Sequence, residues 1–158
     1  MGVSASGKTT IGLAASALTG VTFLDADDQH PPANVAKMAA GIALDDADRA
    51  PWLDAVGAVL RDERPCIMAC SALRRSYRDR LRELAPLTEF VLLNLPRREL
   101  ERRIAARTDH FMPPGLLDSQ LATLEHPDAD EEVVVLDATR SIDELAAAVA
   151  AILAPQVD

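Results

Sequence analysis

Short apolar runs alternate along this chain with longer stretches in which apolar side chains recur every three or four positions. The runs fit strands buried on both faces, and the longer stretches fit amphipathic helices. Their alternation predicts an α/β domain, with a mostly parallel sheet flanked by helices on both faces. The predicted strands are residues 21–24, 66–71, 90–95 and 133–136, and the predicted helices are 7–18, 51–62, 76–84, 97–107, 114–124 and 142–153. Start and stop signals agree with these bounds. Gly20 follows the first helix, Pro51 opens the second, and Ser141-Ile142-Asp143-Glu144 reads as a capping box.

Two stretches break the pattern. Residues 25–53 are polar and rich in Asp, Ala and Pro between a strand and a helix, which reads as a substrate-binding insert. Residues 103–115 place Arg103, Arg107 and His110 before Phe111-Met112-Pro113-Pro114-Gly115, the composition of a mobile lid on a turn-rich hinge.

Composition narrows the partner. A chain of 158 residues with 49% hydrophobic content builds one core, so a single domain over 1–158 is expected. A net charge of -9 argues against binding a nucleic-acid backbone and favours a small-molecule partner. No apolar run approaches the roughly 18 residues of a membrane helix, and no signal pattern opens the chain, so no membrane partner and a cytoplasmic location are expected. Cys66 and Cys70 lie four apart on one strand face, too distant for easy pairing, and read as free thiols of a reducing compartment.

The strongest chemical signal is Gly2-Val3-Ser4-Ala5-Ser6-Gly7-Lys8-Thr9, the spacing of a phosphate-binding loop opening a helix. The glycines let successive N–H groups turn inward as an anion nest, Lys8 reaches the β- and γ-phosphates, and the Thr9 hydroxyl suits Mg2+. A nucleoside triphosphate is the implied ligand. Such a loop ordinarily hangs from the end of a buried strand, yet only Met1 precedes Gly2.

Asp25-Ala26-Asp27-Asp28-Gln29-His30 follows the first predicted strand, at the end where parallel sheets bind ligands. One carboxylate can serve the metal and another can take a proton from a substrate hydroxyl; an acidic turn capping the next helix also fits. Arg49 fits either a bidentate grip on a substrate carboxylate or a helix-start salt bridge with Asp45 or Asp46. Trp52 reads as core packing, and Arg74, Arg75 and Arg78 read as solvated surface at a helix start.

Taken together these segments resemble the gluconate kinase family of P-loop enzymes. The matching residues are Gly2-Val3-Ser4-x-Ser6-Gly7-Lys8, Asp25-x-Asp27-x-x-His30-Pro31, Asn34-x-x-Lys37-Met38-x-x-Gly41, Leu44-x-Asp46-x-Asp48-Arg49-x-Pro51-Trp52-Leu53, Cys70-Ser71-Ala72-Leu73 with Tyr77-Arg78-Asp79, and His110-Phe111-Met112-Pro113 through Gln120 to Leu124-Glu125. The resemblance implies transfer of the γ-phosphoryl of ATP to the 6-hydroxyl of D-gluconate with Mg2+, on a parallel five-stranded sheet in a homodimer. It implies that Gly2, Val3, Ser4, Ala5, Ser6, Gly7, Lys8, Thr9, Thr10 and Arg103 hold the nucleotide, and that Thr9 and Asp25 serve the metal. Lys8, Asp27 as base, and Arg107 would act in catalysis. Asp27, His30, Lys37, Arg49, Arg78, His110 and Gln120 would bind the sugar acid.

Two departures from that family carry expectations. Ala5 stands where a glycine is common and is strained if the loop needs positive φ there. The strand expected before Gly2 is central in this fold, so its omission is expected to leave unpaired backbone edges facing a hole, and a longer chain in which Met1 is internal is expected to be markedly more stable. A kinase for another small sugar acid, and a nucleotide-binding but catalytically silent homologue, are the alternative functions.

Overall fold

The computed structural model describes residues 1–106 and 115–153. In chain order the elements are α1 (Lys8–Thr19), β1 (Thr22–Asp25), a 3-10 turn (Ala26–Gln29), α2 (Pro32–Ala39), α3 (Asp46–Asp62), β2 (Cys66–Ala69), α4 (Arg75–Leu84), β3 (Phe90–Asn94), α5 (Arg97–Ala105), α6 (Leu116–Thr123), β4 (Val133–Asp137) and α7 (Ile142–Leu153). All four predicted strands form. Each pairs in parallel, β1 with β2 from Thr22↔Cys66 to Asp25↔Ala69, and β3 with β4 from Phe90↔Val133 to Asn94↔Asp137.

The described strands make two separate two-stranded sheets, β1–β2 and β3–β4, with Met1 and Gly2 between them. The Met1 amine donates to the Val91 carbonyl, the Leu93 N–H donates to the Met1 carbonyl at 3.0 Å, and the Gly2 N–H donates to the Ser71 carbonyl at 3.2 Å. That is the hydrogen-bond pattern of one residue of a parallel strand inserted between β2 and β3. Beyond Met1 the two sheets are separated by a cavity of about 320 Å³, lined by residues including Ile67, Met68, Phe90 and Val91. The hole expected from the sequence is therefore present, narrowed at one end by Met1.

Helix α1 packs on α7 and helix α3 on α4. One apolar cluster joins Val3, Ala5 and Ile11 to Leu93, Leu100 and Leu145; a second joins Trp52, Leu53 and Val56 to Tyr77, Leu81 and Phe90. Gly12 lets α1 close on β1, since a Cβ there would sit 2.5 Å from the Phe23 ring.

Three expectations are corrected. Helix α3 starts at Asp46 rather than at residue 51, because Asp45 and Asp48 form a capping box and Pro51 is accommodated inside the helix. The list of helices gains α2, which lies with the 3-10 turn inside the insert, where no element was predicted. Strand β4 is not buried on both faces, because Val134 and Val135, which point to opposite sides, are both exposed at this outer strand. Among the described residues no helix is long and apolar enough to cross a membrane.

Candidate active site

The phosphate loop is built as its sequence demands. Gly2 has φ +138° and Gly7 φ +101°, and a Cβ on Gly2 would meet Ser6 Oγ at 3.1 Å and the Leu93 carbonyl at 3.2 Å, so only glycine lets the loop close. Ala5 has φ +63°, the strained conformation anticipated at this position. Gly7 caps α1, and its geometry supplies no side-chain acceptor for the orphan N–H groups of the first turn. Ser6 is fully buried, with an Oγ that has no hydrogen-bond partner among the described residues. A helix N-terminus beside a buried hydroxyl that has no hydrogen-bond partner among the described residues suits a phosphate.

Lys8 folds back over the loop, its Nζ donating to the carbonyls of Gly2 and Val3 at 3.0 Å each. Thr9 and Thr10 lie exposed on the first turn of α1. Two distant side chains brace the loop. Gln120 Oε1 accepts the Ser4 N–H at 2.6 Å, and Arg103 donates to the Ser6 carbonyl at 3.4 Å and the Ala138 carbonyl at 2.8 Å. Arg103 thus ties the loop to the turn after β4. Gln120 is engaged with the loop backbone in this structure. Arg107 and His110 lie outside the described residues.

Beyond the C-terminal end of β1, Asp25 caps the 3-10 turn by accepting the Asp27 N–H at 3.0 Å. Asp25 thus caps the turn that follows it, in line with the capping reading of this cluster. Partial desolvation and then the Asp25 charge push the Asp27 carboxyl above the usual carboxylate range, with His30 and Lys8 opposing, although the Asp27 side chain is 84% exposed. His30 Nε2 lies 3.9 Å from Asp27 Oδ1. Its ring stacks on Trp52 with centroids 4.7 Å apart at 10°, and Asn34 Nδ2 lies 3.4 Å from Nδ1. An amide N–H donating to Nδ1 assigns the ring proton to Nε2, toward Asp27. Burial and then the Arg49 charge hold the His30 pKa below its ordinary value. Trp52 is core, as expected, and its Nε1 also donates to the Ala26 carbonyl at 2.7 Å, tying α3 beneath the acidic turn.

The remaining predicted ligands separate into two groups. Arg49 stays at the crevice, donating to the Leu44 carbonyl at 2.6 Å and lying 3.5 Å from the Tyr77 hydroxyl; among the described residues it bridges neither Asp45 nor Asp46. Lys37 donates to both Asp48 oxygens, at 2.6 and 2.8 Å, and so fastens α2 to α3. Arg78 is fully buried rather than solvated surface. It forms a bidentate pair with Glu131 at 2.6 and 2.7 Å and donates to the carbonyls of Ala72 and Leu73. Its donors hold the turn after β2, where Ala72 has φ +43° and Ser71 receives Gly2. Glu131 lies 53 positions away and carried no signal in the sequence. Arg75 is surface, paired with Asp130.

The AAA-domain family profile matches residues 1–127. Gluconokinase of Gluconobacter oxydans is 47% identical over 85% of this chain and 78% of its own length, and the thermosensitive gluconokinase of Escherichia coli is 43% identical over 85% and 74%. The crystal structure of a gluconokinase from Sinorhizobium meliloti superposes with a TM-score of 0.86 at 44% identity, covering 97% of this chain and 90% of that one; an unliganded sugar kinase from Janibacter gives 0.88 at 43%, covering 97% and 91%. With a phosphate loop opening α1 and a fold and sequence shared at that level, the chain belongs to the gluconokinase family of P-loop kinases.

Proposed function

We propose that this chain phosphorylates D-gluconate at its 6-hydroxyl, using ATP and releasing ADP. The observation that carries the reading is a phosphate loop built at the N-terminus of α1, with the buried Ser6 hydroxyl beside it, in a chain whose relatives at this identity are gluconokinases. The loop N–H groups and Lys8 hold the phosphates, and Arg103 at the Ser6 carbonyl adds positive charge beside them. Thr9 and Asp25 would hold Mg2+, which would draw negative charge from the phosphates.

Asp27 accepts the proton of the 6-hydroxyl as it attacks the γ-phosphorus. Its raised proton affinity suits that step, and His30 Nε2 stands 3.9 Å from the carboxylate. Arg49 faces the acid end of the sugar. Phosphoryl transfer depends mostly on positioning and charge, so the rigid His30–Trp52 stack and the two braces on the loop matter as much as the groups that touch substrate. The reading extends, on the family resemblance, to a cytoplasmic homodimer.

ADP release with Mg-ATP and D-gluconate, shikimate, glycerate or no acceptor tests it. Gluconate-dependent turnover is expected. ATP binding without turnover on any acceptor overturns the reading in favour of a silent nucleotide binder.

A further inference from the structure

Around Arg49 lie three side chains, Asp46, Arg74 and Tyr77, to which no role in binding has been given. The Cζ atoms of Arg49 and Arg74 lie 5.8 and 5.7 Å from the centroid of the Tyr77 ring, so one aromatic plane holds two guanidinium groups. The body of Tyr77 is buried in the second apolar cluster, which fixes that plane. Its hydroxyl donates to Asp46 Oδ1, and Arg74 Nη1 donates to Asp46 Oδ2 at 2.8 Å.

The charge at this point is unbalanced. Asp45 caps α3 and Asp48 is held by Lys37, which leaves Asp46 as the carboxylate that meets both Tyr77 and Arg74. One carboxylate set among two guanidinium groups leaves a surplus positive charge. Arg49 links the group to the acidic turn, since its charge acts on His30, whose Nε2 lies 3.9 Å from Asp27 Oδ1. With the reacting hydroxyl of the substrate at Asp27, as proposed above, Arg49 and Arg74 are the cations available to its acid end.

We infer, on the gluconokinase reading, that Arg74 joins Arg49 in gripping the substrate's carboxylate, and that Asp46 holds that anion position until substrate displaces it. The Tyr77 hydroxyl and the Arg74 N–H that now serve Asp46 are the donors a sugar-acid carboxylate requires. Exchange is inexpensive, because the Arg74–Asp46 pair is solvent-exposed, with side-chain exposures of 38% and 63%, and exposed ion pairs are worth little. A neutral polyol has no group able to displace Asp46, so the device selects acids.

The test is steady-state kinetics of Arg74→Gln, Arg74→Lys and Asp46→Asn, each with its melting temperature. Arg74→Gln is expected to raise KM for gluconate at least tenfold while KM for ATP stays within twofold, and Arg74→Lys is expected to fall between it and the parent. Asp46→Asn is expected to lower KM for gluconate twofold or more, since it removes the competing anion. A purely structural bridge would make Arg74→Gln and Asp46→Asn shift in the same direction, and that result overturns the inference. An unchanged gluconate KM in Arg74→Gln overturns it as well. Failure of the parent chain to use gluconate is a different result, and defeats the functional reading instead.

Discussion

Lys8 spans the phosphate loop it belongs to, bound to the carbonyls of Gly2 and Val3 where an incoming phosphate would compete for its protons. Lys8→Met keeps the chain length and removes the charge, so kcat for gluconate is expected to fall about 10²–10³-fold, measured by ADP release. Ala5 tests the backbone of the same loop. Its left-handed φ costs about 1–2 kcal/mol, but its methyl is buried and glycine loosens the unfolded chain, terms of about 0.8 and 0.5–1 kcal/mol that oppose the relief. Ala5→Gly is therefore expected to move stability by less than about 1 kcal/mol. Ala5→Val has no offsetting gain, and should cost about 2 kcal/mol or more by urea denaturation. The positive φ at Ala5 was legible from its position in the motif. The positive φ at Ala72 was not, because it follows from Arg78 and Glu131 meeting in space.

Among the elements, α1 is both the wall of the nucleotide site and a packing surface for β1 and α7. Gly12 governs the first contact. Alanine there would gain about 1 kcal/mol of helix propensity, but its Cβ would lie 2.5 and 2.7 Å from two atoms of the Phe23 ring, which cannot flex away as an alkyl chain end can. Gly12→Ala is expected to lower stability by about 1–2 kcal/mol, read from the thermal midpoint, and Phe23→Leu in the same chain should recover part of it. Helix periodicity placed α1 and α7 with little error. It misplaced the start of α3, because Pro51 is a start signal in local sequence and the Asp45–Asp48 capping box outranks it. Helix α2 was missed, since its signal is a short stretch whose anchors, Asn34 to the Asp48 carbonyl and Lys37 to the Asp48 carboxylate, come from α3.

For the whole molecule, the junction of the two sheets at Met1 and the packing of the acidic turn on α3 are the decisive features. Burial first, and then the Arg49 charge, hold the His30 pKa below its ordinary value against the pull of Asp27. As pH falls through the ordinary histidine range the unfolded chain therefore binds a proton that the folded chain does not, so this contribution to stability is present above that range and is lost as pH falls through it. His30→Gln is expected to flatten that dependence, as measured by melting temperature across pH. Joining a short apolar strand to Met1 is expected to raise the melting temperature, because it places backbone partners and side chains in the 320 Å³ cavity between β2 and β3.

Local chemistry explains what the sequence determined by itself. Spacing of small residues specified the phosphate loop, alternation specified four strands, and the Asp25–His30 run announced an acidic turn at the ligand-binding end of β1, since each depends on neighbours within a few positions. The tertiary structure alone decided which arginines meet the crevice and which are consumed by the fold. Arg49, Arg74, Arg75, Arg78 and Arg103 are equal in sequence as cations; only folding gives Arg78 to Glu131, Arg75 to Asp130, Arg103 to the phosphate loop, and sets Arg49 and Arg74 over one tyrosine ring. A charge acquires its role from partners that lie 50 or 90 positions away, and no periodicity records those distances.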